Sequence, residues 1–416
     1  MRVFKFGGAS VKDALGVKNL VSVLEQVGYE NTLIVISAMG KTTNAMEVVI
    51  GNYFNNQAEL QSALQEVIKY HNQIIFDLFE NEMHPVFNTV KVLFDELKAF
   101  LKTNKSPDYN FVYDQVIGYG ELVSTTIISA YLNEVGYKNN WIDVRQLIKT
   151  DDYYRRANVN WDQTQTNILT HVNTKQLNIT QGFLGSDKNN FTTTLGREGS
   201  DYTAAIIAYC LNAESVTIWK DVPGVLNADP RYFENAQLLN VISYTEAIEL
   251  AFYGASVIHP KTLQPLQRKE IPLHVKSFIQ PQNNGTVVKK FKGIDPVVPC
   301  FILKQNQVLI SLSTLDFSYV VEENISEIFN LLSKYKMKVD VIQNSAISFS
   351  VCFENNYNNL EPLLLHLKAK FKVTCHNNVS LYTIRHFNEQ AIQNLEKGKS
   401  VLLKQMYQNT VQIVTK

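Results

Sequence analysis

An arginine, a glycine-punctuated turn and an aspartate lie close together in Gly196–Tyr202 (GREGSDY). Small and apolar residues follow as far as Leu211 and predict a helix that begins near Ser200. Backbone N–H groups at a helix start, together with the positive end of the helix dipole, favour a bound carboxylate or phosphate. The Arg197 guanidinium adds a planar set of donors for the same anion. Taken alone, this motif is explained equally well by Ser200 acting as a simple helix cap.

A second candidate for anion binding opens the chain. The apolar segment Val3–Phe6 predicts a strand that carries Lys5, and Gly7 and Gly8 follow it directly. A glycine turn after a strand lets backbone amides approach phosphate oxygens, and a lysine can neutralise the charge that moves during phosphoryl transfer. The Walker A spacing and the Gly-x-Gly-x-x-Gly spacing do not occur here, so neither a P-loop protein nor a dinucleotide-binding dehydrogenase is supported.

Three further motifs complete an ordered set. They are Ser37–Asn44 (SAMGKTTN), Gly118–Leu122 (GYGEL) and Asp221–Val225 (DVPGV). With the first two motifs, they occur in the order seen in one family, and the chain resembles an aspartate kinase (aspartokinase), an amino-acid kinase with C-terminal ACT domains. The resemblance runs from residue 3 to about residue 288, and a weaker likeness to the paired ACT domains covers most of the remainder. We expect a monofunctional enzyme.

The resemblance implies a reaction. The γ-phosphoryl group of ATP is transferred to the β-carboxylate of L-aspartate, giving 4-phospho-L-aspartate, the first step of lysine, threonine and methionine biosynthesis. A carboxylate nucleophile is already ionised near neutral pH and needs no general base, so alignment and charge neutralisation are the main requirements. ATP and Mg²⁺ are the expected cofactors. Because Mg²⁺ is held largely by phosphates and water, we assign no protein residue as a metal ligand.

The resemblance also implies roles for single residues. Lys5 and Asp201 are the expected catalytic residues, Lys5 stabilising the transferring phosphoryl group and Asp201 organising that lysine and the metal-bound phosphates. Glu121 would bind the substrate ammonium, and Arg197 would bind the α-carboxylate. The full expected substrate-binding set is Thr43, Glu121, Arg197 and Ser200. A first-turn glutamate is an alternative explanation of Glu121, and a helix N-cap is an alternative for Thr43.

The nucleotide is expected to contact both the first strand and the segment after Trp219. Pro223 and Gly224 predict a turn there. By resemblance, the nucleotide-binding residues are Gly7, Gly8, Ser10, Lys220, Asp221 and Arg231.

Some positions depart from the family pattern. Lys220 stands where threonine is common, Leu226 where an aromatic residue is common, and Ser256 where many relatives carry a phosphate-contacting lysine. Lys261 or Lys220 are candidate substitutes for that lysine. Glu198 replaces a glycine beside the substrate arginine; it would be harmless if its side chain points outward and would repel the substrate if it points inward.

Composition limits the partners and the compartment. Lys plus Arg and Asp plus Glu each number 39 in 416 residues, so no global positive field recruits nucleic acid or an anionic membrane. The first strand begins almost at Met1, which leaves no room for a signal peptide, and no apolar run reaches membrane-spanning length. We therefore expect a cytoplasmic protein. The cysteines form no Cys-x-x-Cys pair and lie in apolar segments, which favours reduced, buried thiols at Cys210, Cys300, Cys352 and Cys375.

Apolar strands alternate with helical patterns in the first two thirds of the chain. This predicts an α/β fold with a mainly parallel sheet sandwiched by helices, in a catalytic domain of residues 1–290. Residues from about 57 to 104 show apolar residues at helical spacing and predict a helical insert, which we interpret as a packing element without chemistry.

Chain-breaking residues concentrate between Ser277 and Pro299 and predict a domain boundary. The pattern that follows reads β-α-β-β-α-β, so residues 300–416 are expected to form an α+β, ferredoxin-like ACT region. It would contain one full unit and one abbreviated unit, the second borrowing a strand near Phe301–Lys304. The resemblance implies homodimers formed through this region and feedback by lysine or threonine, with Asp340 and Ser345 at the effector site. A dimerisation module without feedback explains the region equally well.

Two alternatives for the function remain open. A kinase of the glutamate or acetylglutamate type would share the fold and the phosphate chemistry, but the helical insert, the Gly118–Leu122 motif and the ACT-like region argue against it. A catalytically inactive amino-acid sensor is the second. Retention of Lys5, Arg197 and Asp201 argues against a sensor, while the departures at Ser256 and Glu198 keep it open.

Overall fold

The computed structural model describes residues 1–81, 83–255, 258–316, 318–354 and 358–416. The chain divides into two compact units. The first comprises Met1–Val225, Leu238–Ile248 and Val257–Ile294; the second comprises Leu226–Gln237, Glu249–Ser256 and Asp295–Lys416. Within the described ranges, no helix combines the length and apolar character that a membrane span requires.

A nine-stranded sheet organises the first unit. Its strands and two short neighbouring strands are β1 Arg2–Phe6, β2 Thr32–Ile36, β3 Asn139–Ile142, β4 Leu177–Gln181, β5 Leu184–Ser186, β6 Thr192–Thr194, β7 Ser215–Lys220, β8 Val241–Ser243, β9 Leu273–Ser277, β10 Thr286–Lys289 and β11 Ile294–Asp295. The order across the large sheet is β11-β8-β10-β9-β7-β1-β2-β4-β3, while β5 and β6 form a separate hairpin. β1 pairs in parallel with both β7 and β2, whereas β9 and β10 pair antiparallel.

Helices lie between these strands. They are α1 Ala14–Val27, α2 Thr42–Asn55, α3 Gln57–Leu78, α4 Pro85–Thr103, α5 Tyr109–Ile117, α6 Tyr119–Glu134, α7 Val144–Leu147, α8 Trp161–His171, α9 Gly199–Leu211, α10 Tyr244–Tyr253 and α11 Pro260–Arg268. Every residue of β2 and β4 is buried, as expected for parallel strands covered on both faces. The predicted α/β fold with a mainly parallel sheet is therefore confirmed.

The segment predicted as a helical insert contains α3 and α4. Both helices bury one apolar face in the same core as α1, because leucine, valine and phenylalanine recur at helical spacing along them. Leu64 and Val67 of α3 and Val90 and Leu97 of α4 belong to that core.

A six-stranded antiparallel sheet organises residues 300–416. Its elements are β12 Cys300–Thr314, α12 Glu322–Lys334, β13 Lys338–Asn344, β14 Phe349–Glu354, α13 Leu360–Lys368, β15 Phe371–Arg385, α14 Glu389–Glu396, β16 Val401–Tyr407 and β17 Thr410–Thr415. The strand order is β13-β14-β12-β15-β17-β16. The predicted α+β C-terminal region is confirmed.

The two long strands of this sheet each serve two groups of elements. The later part of β12, residues 307–314, pairs with β14 and with the first part of β15, which completes a β-α-β-β-α-β sequence with α12 and α13. The first part of β12, residues 300–304, pairs with residues 381–385 of β15, next to β17 and β16. Separate apolar cores lie in the two groups, one around Phe349 and Phe353 and one around Ile384 and Ile413.

Candidate active site

A cavity of about 950 Å³ opens in the first unit, where several parallel strands end. Lys5 comes from β1, Ser37 follows β2, and Lys220 ends β7. Ligands of open α/β sheets bind at the carboxyl ends of the strands, because loops and helix starts converge there. The structure brings these predicted site residues together on the cavity wall: Lys5, Thr43, Glu121, Arg197, Ser200, Asp201 and Lys220.

Lys5 and Asp201 form a buried ion pair in this cavity. The Lys5 Nζ lies 2.6 Å from the Asp201 Oδ1, and the two side chains are 10% and 4% exposed. Asp201 stands in the first turn of α9, where the helix dipole favours a negative charge. A Cβ built on Gly7 would lie 3.4 Å from the same Nζ, so the ammonium sits beside the glycine turn. The pair therefore fixes a cation at the position where a strand end meets a helix start.

Glu121 is a deeply buried acid of the cavity. It stands in the first turn of α6 and is 3% exposed. Burial raises the pKa of this carboxyl to about 8, although backbone N–H groups of Ala38 and Glu121 itself oppose the shift. Among the described residues, its Oε2 has no hydrogen-bond partner. A buried carboxylate with one unpartnered oxygen in a cavity is suited to a ligand that carries an N–H cation.

The loop before α9 adopts a left-handed backbone. Gly196 has φ of 82° and Glu198 has φ of 52°, and Glu198 occupies the N-cap position without a side-chain capping bond. The helix therefore begins at Gly199, and the prediction that Ser200 is the N-cap is wrong. Ser200 lies inside the first turn. It packs so closely against Gly182 that a Cβ built on Gly182 would lie 2.4 Å from the Ser200 Cβ.

Thr43 also lies inside a helix rather than at its cap. The N-cap of α2 is Lys41, and the adjacent Thr42 hydroxyl donates a hydrogen bond to the Met39 carbonyl over 2.6 Å. Thr43 is half-buried and lines the cavity. The N-cap alternative for Thr43 is therefore wrong.

Glu198, the residue that replaces the family glycine, lines the cavity as well. Its Oε2 is buried and, among the described residues, has no hydrogen-bond partner. Of the two cases that the sequence left open, the structure favours the inward one, in which the Glu198 carboxylate would repel an anionic substrate. A non-glycine residue with positive φ is uncommon, since the Cβ is crowded in that conformation.

Three other residues that were expected to contact the nucleotide, namely Ser10, Asp221 and Arg231, do not line the described cavity. The Ser10 hydroxyl donates to the Trp219 carbonyl over 3.4 Å and is buried, so it joins the turn after β1 to β7. Asp221 is exposed, and neither it nor Ser10 belongs to the described cavity lining. Arg231 belongs to the second unit and pairs with Asp229 over 2.6 Å.

The departures from the family pattern are placed in part. Ser256 lies outside the described residues. Lys220 lines the cavity, whereas Lys261 lies with its Nζ 5.7 Å from the centre of the Tyr202 ring. Leu226 belongs to the second unit.

The expected effector residues have partners within the second unit. The Asp340 carboxylate accepts from the Lys304 Nζ over 2.7 Å, and these side chains are largely buried. Ser345 is exposed, and its hydroxyl lies 2.8 Å from that of Ser348.

Sequence reasoning missed one wall of the cavity. Arg155 and Arg156 line it, and the backbone N–H of Arg155 donates to the buried Asp114 carboxylate over 2.9 Å. Burial raises the pKa of Asp114 to about 6, against three hydrogen bonds that lower it. The only local signal was a pair of adjacent arginines after two aspartates, which is also typical of a solvated loop.

Gly8 allows two strand-end loops to approach closely. A Cβ at this position would lie 2.7 Å from the Ala38 carbonyl oxygen and 2.8 Å from that of Gly40. We expect Gly8→Ala to lower the free energy of unfolding by about 1–3 kcal/mol, because backbone atoms must move apart, and to weaken nucleotide binding. Thermal unfolding with and without nucleotide measures both effects.

Gly51 provides the matched control for this prediction. It lies in α2 and a Cβ there meets nothing within 4 Å. Gly51→Ala should raise helix stability by up to about 1 kcal/mol. Equal behaviour of the two variants would contradict the role assigned to Gly8.

Comparisons with known proteins show the family of this chain. The sequence profile of the amino acid kinase family matches residues 1–277. The chain is 31% identical over 401 residues to lysine-sensitive aspartokinase 3 of Escherichia coli K12, covering 92% of this chain and 86% of that protein.

Solved structures show the same relationship. The crystal structure of E. coli aspartokinase III with lysine and aspartate superposes with a TM-score of 0.84 at 27% identity, covering all of this chain and 95% of that one. The structure of E. coli aspartokinase III with aspartate and ADP gives a TM-score of 0.80 at 26% identity, covering all of this chain and 96% of that one. The chain belongs to the amino acid kinase family and, within it, to the aspartokinases.

Proposed function

We propose that this aspartokinase transfers the γ-phosphoryl group of ATP to the β-carboxylate of L-aspartate. The observation that carries the proposal is the buried Lys5–Asp201 pair in a cavity that Glu121 and Arg197 also line. These groups match the charges of the substrate: an anionic site for an ammonium group and cations for carboxylates and phosphates. The E. coli aspartokinase III structure contains aspartate and ADP, which supports aspartate as the substrate and ATP as the phosphoryl donor.

The reaction needs positioning rather than proton transfer. A β-carboxylate oxygen forms a bond to the γ-phosphorus while the bond from that phosphorus to the bridging oxygen of ADP breaks, and the electron pair leaves with ADP. Lys5 would neutralise charge on the transferring group. Asp201 would hold the Lys5 ammonium in place, Glu121 the substrate ammonium, and Arg197 the α-carboxylate. Thr43 and Ser200 would complete the substrate wall.

Nucleotide contacts are proposed for Gly7, Gly8 and Lys220, with Ser10, Asp221 and Arg231 as further candidates. Mg²⁺ would supply additional charge neutralisation on the phosphates. No cluster of three or more metal-ligating side chains occurs in the described part of the chain. Mg²⁺ would therefore be held mostly by phosphate oxygens and water. The carboxylates of Asp201 and Glu198 line the described cavity and would be the candidate protein ligands of such an ion.

An assay of the product tests this proposal. Neutral hydroxylamine converts an acyl phosphate into a hydroxamate, so ATP, Mg²⁺ and aspartate should give one aspartyl hydroxamate for each ADP released. Glutamate and N-acetylglutamate should give neither product. Turnover with glutamate in place of aspartate would establish the other amino-acid kinase. Folded protein without turnover on any acceptor would contradict the proposed kinase and favour the sensor.

Regulation and assembly are part of the proposal. Lysine and threonine are the candidate effectors, supported by the lysine-sensitive relative and by the lysine in its solved counterpart. Asp340 and Ser345 would contact the effector, whose ammonium must then displace Lys304 from Asp340. Adding each amino acid to the hydroxamate assay measures this inhibition.

We also propose a homodimer formed through residues 300–416. β13 and β16 are the outer strands of the six-stranded sheet, and they carry exposed apolar side chains at Ile342 and Met406. Outer strands of this kind pair readily with another chain. Light scattering coupled to size-exclusion chromatography measures the mass directly. A cytoplasmic location remains a prediction.

A further inference from the structure

Residues 151–157, here called the arginine segment, bring to the cavity two guanidinium groups that the roles above leave unused. We propose that Arg156 binds the α-carboxylate of the amino-acid substrate together with Arg197, and that Asp114 is the positioning residue that holds the arginine segment in place. This inference rests on the proposed function and deepens it, since it names a further determinant of substrate specificity.

Asp114 ties the arginine segment to the strand that leads into the Arg197 loop. It lies on α5 with no exposed surface, and its carboxylate accepts hydrogen bonds from the Arg155 N–H at 2.9 Å and from the Thr194 N–H and hydroxyl at 2.8 Å each. The Ala157 N–H donates to the Thr194 carbonyl over 3.0 Å. Thr194 ends β6, only three residues before Arg197. One buried carboxylate therefore fixes the two arginine-bearing loops relative to each other.

The two arginines of the segment are engaged differently. Arg155 has φ of 68°, and its guanidinium lies 4.3 Å from the centre of the Tyr113 ring. The Tyr113 hydroxyl in turn donates to Glu47 over 2.9 Å. Stacking on an aromatic ring stabilises a guanidinium and fixes its direction. Arg155 is thus held by the protein itself.

Arg156 has no such partner. Among the described residues, its guanidinium makes no ion pair, hydrogen bond or ring contact, and the same is true of Arg197. Its side chain nevertheless begins next to the Arg197 loop, since a Cβ on Gly196 would lie 3.7 Å from the Arg156 Cγ. Two unpaired guanidinium groups on adjacent loops form a site for one shared anion.

The charges of the substrate select the anion. An amino acid whose ammonium lies at Glu121 and whose reacting carboxylate lies at Lys5 has one charged group left, the α-carboxylate. On the described cavity wall, the Lys5 ammonium is paired with Asp201 and the Arg155 guanidinium is stacked on Tyr113. Apart from Lys220 at the end of β7, the other cations of that wall are Arg156 and Arg197, and they can bind the α-carboxylate. Lys220 already has a partner within the protein.

Arg156→Gln tests the assignment, with Arg268→Gln as the matched control. Arg268 is an exposed arginine of α11 that does not line the described cavity. We expect Arg156→Gln to raise the KM for aspartate about tenfold or more, corresponding to loss of a charged contact of at least about 1.4 kcal/mol. The KM for ATP should change less than about twofold. Arg268→Gln should leave both constants unchanged.

The α-amide of L-aspartic acid isolates the contact. It keeps the ammonium and the β-carboxylate but lacks the α-charge, and it is titrated as a competitor of aspartate so that it need not be turned over. Wild type and Arg156→Gln should bind this amide equally. If the variant loses affinity for the amide as it does for aspartate, or loses affinity for ATP instead, the assignment is wrong.

Asp114→Asn tests the positioning role. It should raise the KM for aspartate with kcat little changed, and the double variant with Arg156→Gln should lose no more than Arg156→Gln alone, because both act on one contact. Additive losses would contradict the role of Asp114. If Asp114→Asn fails to fold, Arg156→Gln still tests the proposal, because Arg156 is an exposed residue. Absence of aspartate turnover by the wild type would overturn the proposed function instead.

Discussion

Lys5→Met is expected to lower the kcat of aspartate-dependent ATP turnover by about 10³-fold or more. Charge-neutralising groups aimed at a transferring phosphoryl are worth this much because they act in a site that excludes water and are already oriented. The Lys5 ammonium meets both conditions, since its side chain is only 10% exposed and the Asp201 carboxylate holds it at 2.6 Å. Hydroxamate formation measured at saturating aspartate and ATP gives the change in kcat.

Loss of stability must be separated from loss of catalysis in this variant. Removing the cation leaves Asp201 buried beside no compensating charge, which costs about 3–5 kcal/mol in buried pairs. The double variant Lys5→Met with Asp201→Asn should regain most of that stability and none of the activity. Lys98→Met is the control, because Lys98 is a partly exposed lysine of α4, outside the described cavity wall, paired with Asp95 over 2.9 Å. Activity that returned with stability would contradict a catalytic role for Lys5.

Much of the site could be predicted from sequence because its residues stand at the ends of strongly patterned elements. Lys5 lies in an apolar strand, Glu121 and Asp201 lie in first turns of helices, and parallel strands gather such positions at one edge of the sheet. Local sequence therefore carries the position of each residue. The family resemblance supplied the roles, which local pattern alone does not.

The arginine segment could not be predicted, since what holds it is not local. Asp114 and Arg155 are 41 residues apart, and Asp114 and Thr194 are 80 residues apart. From sequence alone, a single aspartate in an apolar helix is equally consistent with a side chain that faces solvent. Only the fold shows that the aspartate is buried and accepts three hydrogen bonds.

The start of α9 shows a different kind of error. Serine is a preferred N-cap, and Ser200 stands directly before an acidic residue and an apolar run. The left-handed backbone at Glu198 starts the helix earlier, and glutamate is not a residue from which that conformation is expected. Backbone strain at a site of this kind is visible only in the structure.

Glu121→Gln is expected to weaken aspartate binding strongly while making the free protein more stable. The Glu121 carboxyl is buried with one oxygen that has no hydrogen-bond partner among the described residues, and burial raises its pKa to about 8. A neutral amide has no charge to desolvate, but it cannot form an ion pair with the substrate ammonium. We expect the KM for aspartate to rise about 100-fold, as for loss of a buried charged contact of about 3 kcal/mol.

The raised pKa of Glu121 also predicts how aspartate binding depends on pH. Below about pH 8 the free Glu121 carboxyl is mostly protonated, whereas the ammonium of aspartate requires the carboxylate, so binding releases a proton. The wild-type dissociation constant for aspartate should therefore fall about tenfold for each pH unit between pH 6 and pH 8 and level off above. In Glu121→Gln the dissociation constant should not vary over this range. Calorimetry in buffers of different ionisation enthalpy counts the proton.

Stability of the free protein should depend on pH in the opposite sense. The pKa of Glu121 is raised in the folded state above its ordinary value of 4.5, so the folded protein holds a proton that the unfolded chain releases. Its contribution to stability is full below about pH 4.5 and is lost as pH rises through about 8. The Tm advantage of Glu121→Gln over wild type should accordingly grow from pH 5 to pH 8.

Glu59→Gln is the matched control, because Glu59 also stands in the first turn of a helix but is exposed. It should change neither the affinity for aspartate nor the slope of Tm against pH. A wild-type affinity that does not change between pH 6 and pH 8 would show that the carboxylate is already ionised in the free protein. The stability gain and the binding loss in Glu121→Gln have one cause. The Glu121 carboxyl is buried without a partner in the free protein, and the substrate ammonium becomes its partner on binding. The two effects should therefore appear together.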